Sequence, residues 1–338
     1  MAERSARLLV TLPDSEAVRR ALAEELPGLP FVFGAPTAQG PWPSVEAMLV
    51  GSLQRELPNL TPDRLPKLRF VQRVYTGLDA FPFERFAPEV QIAGNVGGFA
   101  PFVAEQALTL LLALANDLVP NYERLKAGRI RPVEPPRWLV GRTALLLGFG
   151  AIAGALAERL RAFGVRVEGV SRSGAADPRA DRMHPATGLR DALASADLIV
   201  DCRPLTNATR GTIDRLALER MKPTAIFVNI GRAGTVDPMA LFGHLQAHPE
   251  FRFGTDVLWG EDMVQGTFDR RWPFTDLPNF LATPHIAGIG PAPRARALAV
   301  ALRNLARYFR GEPPLHLVDR REYELPSTDR APPKAGPT

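Results

Sequence analysis

A glycine-rich turn joins an apolar run to a helical pattern near the middle of the chain, where residues 145–154 read LLLGFGAIAG. Gly148 permits a tight turn, Gly150 lets the backbone approach a pyrophosphate, and the helix N-terminus offers free N–H groups. The third glycine of the dinucleotide fingerprint is Ala153 here, which is tolerated because that position sets only helix-to-strand packing. A glycine turn without a ligand is the alternative, but the strand-to-helix context favours dinucleotide binding. The predicted cofactor-binding residues of this loop are Gly148, Phe149, Gly150, Ala151 and Ile152.

The next predicted strand, Val165 to Val170, ends in Ser171, Arg172 and Ser173 and has no acid at its tip. In NAD sites an Asp or Glu at this point accepts hydrogen bonds from the ribose hydroxyls, and it would repel a 2′-phosphate. Glu168 lies inside the strand, too early to reach the ribose. The arginine fork suits a phosphate, and the two serine hydroxyls can add donors. Although a polar turn without this role is the alternative, the pattern favours NADP(H) over NAD(H).

An arginine follows another apolar run, in the sequence Val228-Asn229-Ile230-Gly231-Arg232. Open α/β sheets bind ligands at the carboxyl ends of their strands, and a guanidinium matches a carboxylate bidentately. A surface loop arginine is the alternative, but Arg232 stands between Gly231 and Gly234 directly after a strand. We therefore predict that Arg232 binds an anionic group.

Several further segments stand in a fixed order around these residues. They are Tyr75-Thr76-Gly77-Leu78-Asp79, Val103-Ala104-Glu105, Pro204-Leu205-Thr206 with Thr209-Arg210-Gly211, Met221-Lys222-Pro223 leading to residues 228–234, Gly254-Thr255-Asp256-Val257, and Thr283-Pro284-His285-Ile286-Ala287-Gly288. Together they resemble the D-isomer-specific 2-hydroxyacid dehydrogenase family, with glyoxylate and hydroxypyruvate reductases as members. The resemblance covers roughly Leu68 to Arg310. It implies hydride transfer between NAD(P)H and a small 2-keto or 2-hydroxy acid.

The resemblance assigns the general acid to His285, which would protonate the alkoxide as it forms. Arg232 would hold the substrate carboxylate and polarise the carbonyl. The family pattern places the orienting acid at Glu261, and a neighbouring carboxylate raises the pKa of a histidine, which keeps its proton available. The residue after this glutamate is usually proline, whereas here it is Asp262, so Asp262 is the alternative partner. Formate dehydrogenases carry an amide at this position, and the acid therefore favours hydroxyacid chemistry.

The resemblance also implies the remaining contacts to the two ligands. Cofactor contacts are expected at Pro204, Thr209, Ile230, Gly231, Arg232, Asp256, His285 and Gly288. Substrate contacts are expected from backbone N–H groups and side chains of Tyr75, Thr76, Gly77, Gly98, Arg232 and His285. Two ordinary glycine turns are the alternative for Tyr75–Gly77 and Gly98. No metal is expected.

Strand-like and helix-like runs alternate in two sets, before and after a Pro-rich stretch at 132–136, which predicts an α/β fold. With the resemblance, the expectation is two doubly wound parallel-sheet domains, a Rossmann nucleotide-binding domain inserted into a discontinuous flavodoxin-like substrate domain. Residues 1–105 and 289–325 would form the substrate domain, 106–288 the nucleotide domain and 326–338 a disordered tail. The resemblance implies a substrate cleft between the domains, and one long helix is predicted from about Phe102 toward Leu125.

The chain has 338 residues with 46% hydrophobic and 23% charged residues, and a formal net charge of +5. The basic residues are scattered, so no nucleic-acid partner is expected. One cysteine, Cys202, excludes a disulfide framework and fits a reducing cytoplasm. No segment approaches the roughly 20 apolar residues of a membrane span, and the N-terminus lacks a signal-peptide core, so a cytoplasmic protein without a membrane partner is expected.

The helix from Phe102 to Leu118 is apolar on many faces, so part of it should be buried in a subunit contact or at the domain junction. With the resemblance, this predicts a two-fold homodimer. Two other functions stay open on the sequence. One is a non-catalytic dinucleotide sensor of the same fold, and the other is phosphoglycerate dehydrogenase, which is disfavoured because no regulatory domain follows the final helix.

Overall fold

The computed structural model describes residues 6–34, 42–56, 58–132, 134–263 and 265–323. The chain divides into two compact units. Unit 1 comprises Met1–Asn95, Leu205–Ala208 and Leu298–Thr338, and unit 2 comprises Val96–Pro204 and Thr209–Ala297. The predicted fold class, with a Rossmann unit interrupting a discontinuous α/β unit, is confirmed. The exact functional domain limits stay predictions, and the predicted tail 326–338 lies outside the described residues.

Unit 1 contains a five-stranded parallel sheet in the order β2-β1-β3-β4-β5. Its strands are β1 Leu8–Val10, β2 Phe31–Phe33, β3 Ala47–Val50, β4 Phe70–Arg73 and β5 Gln91–Ala93. The helices are α1 Glu16–Glu25 and α2 Leu53–Glu56. Ser15 caps α1, because its side chain accepts a hydrogen bond from Val18 N. The apolar strands β1, β3 and β4 are buried and form the centre of the core.

Unit 2 contains a seven-stranded parallel sheet in the order β12-β11-β10-β9-β6-β7-β8. Its strands are β6 Thr143–Leu147, β7 Arg166–Ser171, β8 Arg182–Pro185, β9 Leu198–Asp201, β10 Ile226–Asn229, β11 Arg252–Thr255 and β12 Phe280–Ala282. The helices are α3 Ala100–Ala115, α4 Leu118–Lys126, α5 Ala151–Ala162, α6 Leu189–Ser195, α7 Arg215–Arg220 and α8 Pro238–Ala247; α9, Pro291–Phe309, continues into unit 1. The strand order reverses between β6 and β9, which is where a doubly wound sheet opens its ligand crevice.

The single helix predicted from Phe102 toward Leu125 is wrong, because the chain breaks into α3 and α4 with a bend of 53°. Asp117, at the break, has a left-handed backbone with φ of 45°. Buried Arg252 holds this break: Nη1 donates to the Leu114 carbonyl at 2.7 Å, and Nη2 donates to the Asp117 carboxylate. Among the described residues, no helix is by itself long and apolar enough to cross a membrane, and only α3 and α4 counted together reach that length and composition.

The apolar faces of α3 are covered within unit 2 itself. Ala104, Ala107, Leu110, Leu111 and Leu114 are buried, and α3 packs against α5, β10 and β11. The apolar composition that suggested a subunit contact for this helix is therefore explained by the core of unit 2. Exposed apolar side chains occur instead on α4, at Leu118, Val119, Tyr122 and Leu125.

Candidate active site

The glycine loop runs from the end of β6 to the start of α5, as expected for a phosphate-binding turn. Gly148 has φ of 79°, and its N–H and that of Phe149 donate to the carbonyl of Val170 on β7. Gly150 is the N-cap of α5 and offers no capping side chain, while a Cβ there would meet open space. The first N–H groups of a helix have no acceptor within it, so those at Ala151 and Ile152 are suited to an anion.

The side chain of Phe149 packs against the sheet. A Cβ on Gly169 would lie 2.3 Å from Phe149 Cδ2, and the guanidinium of Arg179 lies 5.7 Å from the centre of the phenyl ring. Arg179 also binds Asp177 in a bidentate pair. The backbone of Phe149, and not its side chain, is therefore the part that can contact a cofactor. Arg179 is a basic residue beside the loop that the sequence analysis did not identify.

The turn after β7 carries the residues predicted to determine the preference for NADP(H) over NAD(H). Strand β7 ends at Ser171, so Glu168 lies within it, and the Glu168 carboxylate is bound to His184 Nε2 at 2.7 Å. Ser171 Oγ accepts from Gly174 N, and Ser173 Oγ accepts from Ala175 N. Each hydroxyl keeps its own proton for another partner. Arg172, between the two serines, is exposed.

His285 and Glu261 form a close pair in unit 2. The ring Nδ1 of His285 lies 2.7 Å from Glu261 Oε2, and Leu258 N donates to the other carboxylate oxygen. This arrangement makes Nδ1 the donor to the carboxylate and leaves Nε2 for a substrate. Asp262, the alternative partner, instead accepts from Gln265 N in its own turn. The structure therefore brings together Glu261 and His285.

Glu261 sets the protonation of the histidine. Its hydrogen bond is the main reason that the pKa of His285 is raised, against the opposing effects of burial and the positive charge of Arg232. His285 also has φ of 52°, a left-handed conformation that non-glycine residues adopt rarely, although histidine is among those that tolerate it. The ring is thus charged more readily than a free imidazole, and its hydrogen bond to Glu261 orients it.

Asp256 holds the loop that carries His285. Its buried carboxylate accepts from Thr283 Oγ1 at 2.6 Å, Ile286 N at 2.9 Å and Ala287 N at 3.0 Å. Gln106 on α3 donates to the same Thr283 hydroxyl at 3.0 Å. Asp256 was predicted to contact the cofactor. The structure shows that its carboxylate also positions the loop that carries His285. Gln106 carried no recognisable motif, because its partner lies 177 residues away.

Arg232 follows β10 at the carboxyl edge of the sheet, as predicted. Asn229, the last residue of β10, accepts from Gly231 N through Oδ1 and donates to the Arg232 carbonyl through Nδ2 at 3.0 Å. Arg232 Nη1 donates to the Gly231 carbonyl at 2.8 Å. The main chain on both sides of the arginine is thereby fixed. An asparagine two residues before a glycine is the local signal that could have identified this role.

The other predicted residues lie at loop positions of their units. In unit 2, Thr209 Oγ1 donates to the Pro204 carbonyl, Ile230 N donates to the Asp201 carbonyl, and a Cβ on Gly288 would lie 3.3 Å from Phe99. Gly98 is a buried residue that precedes α3. In unit 1, the Tyr75–Gly77 segment follows β4, and Thr76 Oγ1 donates to the Asn95 carbonyl. Their ligand contacts stay predictions.

Comparison with known proteins finds similar proteins over most of the chain. A family model for the NAD binding domain of D-isomer specific 2-hydroxyacid dehydrogenases matches residues 108–287. The chain is 30% identical over 281 residues to the glyoxylate reductase of Thermococcus kodakarensis, covering 80% of this chain and 83% of that protein. It is 29% identical over 262 residues to the hydroxypyruvate reductase of Thermotoga maritima, covering 77% and 83%.

A solved structure extends the comparison to both units. The D-isomer specific 2-hydroxyacid dehydrogenase of Xanthobacter autotrophicus Py2, in complex with NADPH and MES, matches with a TM-score of 0.79 and 27% identity, covering 95% of this chain and 100% of that chain. The sheet and its glycine loop are those of a dinucleotide-binding α/β domain, and the named relatives are reductases. The chain belongs to the D-isomer specific 2-hydroxyacid dehydrogenase family.

Proposed function

We propose that this enzyme reduces a small 2-keto acid, of the size of glyoxylate or hydroxypyruvate, with NADPH as the preferred reductant. The observation that carries the proposal is the His285–Glu261 pair in the same unit as Arg232 and the phosphate loop. The names of the relatives in Thermococcus and Thermotoga support this substrate size.

The residues divide the chemistry between them. The guanidinium of Arg232 binds the substrate carboxylate, and its positive charge stabilises the negative charge that develops on the carbonyl oxygen. His285 Nε2 gives a proton to that oxygen, while Nδ1 stays bonded to Glu261. Asp256 keeps the histidine loop in place. Because Arg232 and His285 serve one reacting group, both must be in position at the same time.

The cofactor loop fits a dinucleotide, because the N-terminus of α5 is uncapped and space is open at Gly150. The Gly148–Ile152 loop would hold the pyrophosphate. When bound, the nicotinamide supplies the hydride. We also assign ligand contacts to Pro204, Thr209, Ile230, Gly231, Asp256 and Gly288 for the cofactor, and to Tyr75, Thr76, Gly77 and Gly98 for the substrate.

A panel of 2-keto acids, each tested with NADPH and with NADH, tests the function. We expect saturable oxidation of NADPH with glyoxylate and hydroxypyruvate, with the hydroxy acid formed in equal amount. NADPH binding without turnover of any keto acid in the panel would support the sensor function instead. Turnover confined to 3-phosphohydroxypyruvate would favour phosphoglycerate dehydrogenase.

The pH dependence of reduction should depend on Glu261. Reduction needs protonated His285, so kcat/KM falls as the pH rises through the raised pKa of this histidine. Glu261→Gln removes the carboxylate that raises that pKa, and the alkaline limb of the profile should move to lower pH. The profile of kcat/KM against pH checks this result, with Asp262→Asn as the matched control that leaves the limb unmoved. If the alkaline limb of the kcat/KM profile stayed in place in Glu261→Gln, the ionisation behind it would belong to a group other than His285.

The preference for NADPH rests on the turn after β7. Arg172 is exposed between two serines whose hydroxyl protons can be donated to a phosphate. Glu168 lies within β7, and its carboxylate is hydrogen-bonded to His184 on β8. An acid that would repel the 2′-phosphate is absent from the described turn at 171–173. The NADPH in the Xanthobacter structure agrees with this assignment for a relative.

We expect Arg172→Ala to raise the KM for NADPH at least tenfold, corresponding to about 1.4 kcal/mol or more. The KM for NADH should change little, because NADH has no 2′-phosphate. Initial rates with both cofactors measure the effect, and Arg166→Ala, an exposed arginine at the start of the same strand, is the control. Equal catalytic efficiency of the unmutated enzyme with both cofactors would refute the preference.

We propose a homodimer that uses the exposed apolar face of α4. Leu118, Tyr122 and Leu125 are 60%, 62% and 58% exposed, and an apolar patch of this kind on one helix marks a candidate interaction surface. A second copy of the chain could cover it by two-fold symmetry. The proposal thus keeps the predicted dimer but moves the contact from α3 to α4.

Leu125→Arg should convert the dimer to a monomer, because it places a charge in the apolar contact. Analytical ultracentrifugation at micromolar concentration gives the mass. Leu216→Arg, at a leucine that is 48% exposed on α7, should leave the dimer intact. A monomeric mass for the unmutated chain would contradict the assignment.

A further inference from the structure

A buried ion pair lies where the strand order of unit 2 reverses. Asp201 ends β9, and its side chain has no solvent exposure, while the side chain of Arg203 is 11% exposed. Arg203 turns back on this carboxylate: Nε donates to Oδ1 at 2.9 Å and Nη2 donates to Oδ2 at 2.6 Å. The remaining nitrogen, Nη1, donates to Thr212 Oγ1 at 2.9 Å. This ion pair has no role in the proposed reaction steps.

Arg203 is also enclosed by two glycines of the site. A Cβ on Gly148, in the phosphate loop, would lie 2.7 Å from Arg203 Cγ. A Cβ on Gly231, directly before Arg232, would lie 2.4 Å from the Arg203 carbonyl oxygen. Neither glycine can therefore be replaced without moving Arg203. Arg203 therefore packs between the phosphate loop and the segment that carries Arg232.

Asp201 connects the pair to the turn after Arg232. Asp201 Oδ2 lies 2.9 Å from Thr235 Oγ1, and Thr235 is the buried last residue of the 3₁₀ turn Ala233–Thr235. The Thr235 hydroxyl also lies 2.9 Å from the Arg232 carbonyl. It has one proton, and the carboxylate is the stronger acceptor, so the proton goes to Asp201. The Arg232 carbonyl then accepts from Asn229 Nδ2 at 3.0 Å and from Thr235 N at 3.2 Å, so Thr235 stays linked to Arg232 through its backbone.

We propose that the Asp201–Arg203 ion pair is a positioning device for Arg232, acting through the hydroxyl of Thr235. A buried ion pair contributes little net stability compared with apolar side chains of similar volume, because both charges lose their hydration. Its bidentate geometry, however, fixes the carboxylate in one orientation. That orientation determines where the turn after Arg232 lies. The inference rests on the proposed function, since it assigns a purpose to the placement of Arg232.

Thr235→Val tests the link, because valine keeps the shape of threonine and lacks the hydroxyl. We expect kcat/KM for the keto acid to fall about tenfold, mainly through a higher KM, because a displaced guanidinium binds the carboxylate less well. Thr235→Ser, which keeps the hydroxyl, should restore the KM to within about threefold of the unmutated value. The dissociation constant for NADPH, measured by fluorescence, should stay within about twofold because the phosphate loop is unchanged.

Thr212→Val is the matched control. It removes the other hydroxyl bonded to Arg203, whose partners among the described residues are Arg203 Nη1 and the Thr209 carbonyl. The backbone bonds of Gly211 and Ile213 to the turn stay in place, so the variant should lower the melting temperature without raising the KM for the keto acid. A purely structural network would give the opposite pattern, with equal loss of melting temperature in the two valine variants and an unchanged KM in both. That result would overturn the proposal.

A double-mutant cycle tests the ion pair itself. Asp201→Asn combined with Arg203→Gln removes both charges together, and glutamine keeps the Cγ that packs beside Gly148. The KM should rise in this background, and adding Thr235→Val should have little further effect, because the two changes break one pathway. If the increases in KM from the neutralised ion pair and from Thr235→Val were fully additive, the ion pair would not act through Thr235. This background also supplies the comparison if Thr235→Val alone is too unstable to purify.

Failure of this inference differs from failure of the proposed function. If Arg232 does not bind the substrate carboxylate, Arg232→Ala itself will leave the KM for the keto acid unchanged. If the function holds and the inference fails, Arg232→Ala will have a raised KM for the keto acid. Thr235→Val, and the variant that combines Asp201→Asn with Arg203→Gln, will then have the KM of the unmutated enzyme.

Discussion

His285→Ala should lower kcat for keto acid reduction by about 10²–10⁴-fold, the range that a positioned general acid contributes. The physical reason is the loss of the charged ring whose pKa Glu261 raises. The affinity for NADPH should stay nearly intact, because the phosphate loop at Gly148–Ile152, which is proposed to hold the pyrophosphate, is unchanged. Steady-state kinetics and a fluorescence titration with NADPH measure the two quantities separately.

Two variants separate catalysis from backbone strain. His316 also has a left-handed backbone, with φ of 58° against 52° for His285, so His316→Ala imposes the same change of residue type at an exposed position. Its kcat should equal that of the unmutated enzyme. His285→Asn keeps a residue that tolerates this backbone but lacks an acid of suitable pKa, and it should be as slow as the alanine variant. Near-normal turnover in His285→Ala would refute the assignment.

Arg232→Ala should damage both binding and turnover. The same cation binds the ground-state carboxylate and stabilises the charge that develops on the carbonyl, so KM should rise roughly ten- to a hundredfold and kcat should fall about 10²–10³-fold. Initial rates over a wide range of keto acid concentration give both constants.

Arg232→Lys and Arg215→Ala complete the series. Lysine keeps the charge but loses the fork, so it should recover part of kcat and little of the KM. Arg215, an exposed arginine paired with Glu219 on α7, should be replaceable by alanine without effect. If Arg232→Ala changed kcat alone, the substrate carboxylate would have to be held by another group.

The sequence was informative where one strong local pattern set the structure. The apolar runs of β6, β7, β9 and β10 are buried strands, and the glycine turn after β6 stands at the predicted point. Several strands were not predicted, among them β8 and β12. Strand β8, Arg182–Pro185, is largely polar, and β12 has three residues, so neither shows a clear period.

Long-range contacts explain the other differences. The break between α3 and α4 depends on Arg252, which reaches Asp117 from 135 residues away. The bond between Asp256 and the histidine loop, and the bond between Asp201 and Thr235, also join separate strand ends. No local pattern encodes these partners, because the fold alone brings them together. The motif at 283–288 indicated His285, but only the structure shows what holds it.

The most direct test of the account follows the hydride itself. Reduced NADP carrying deuterium at the transferring position of nicotinamide C4 is incubated with glyoxylate and the unmutated enzyme, and the product is analysed by mass spectrometry. We predict glycolate with one deuterium bonded to its C2 carbon, formed in equal amount to the oxidised cofactor. Glyoxylate and hydroxypyruvate left unreduced while the cofactor is bound, or glycolate without the label, would contradict it.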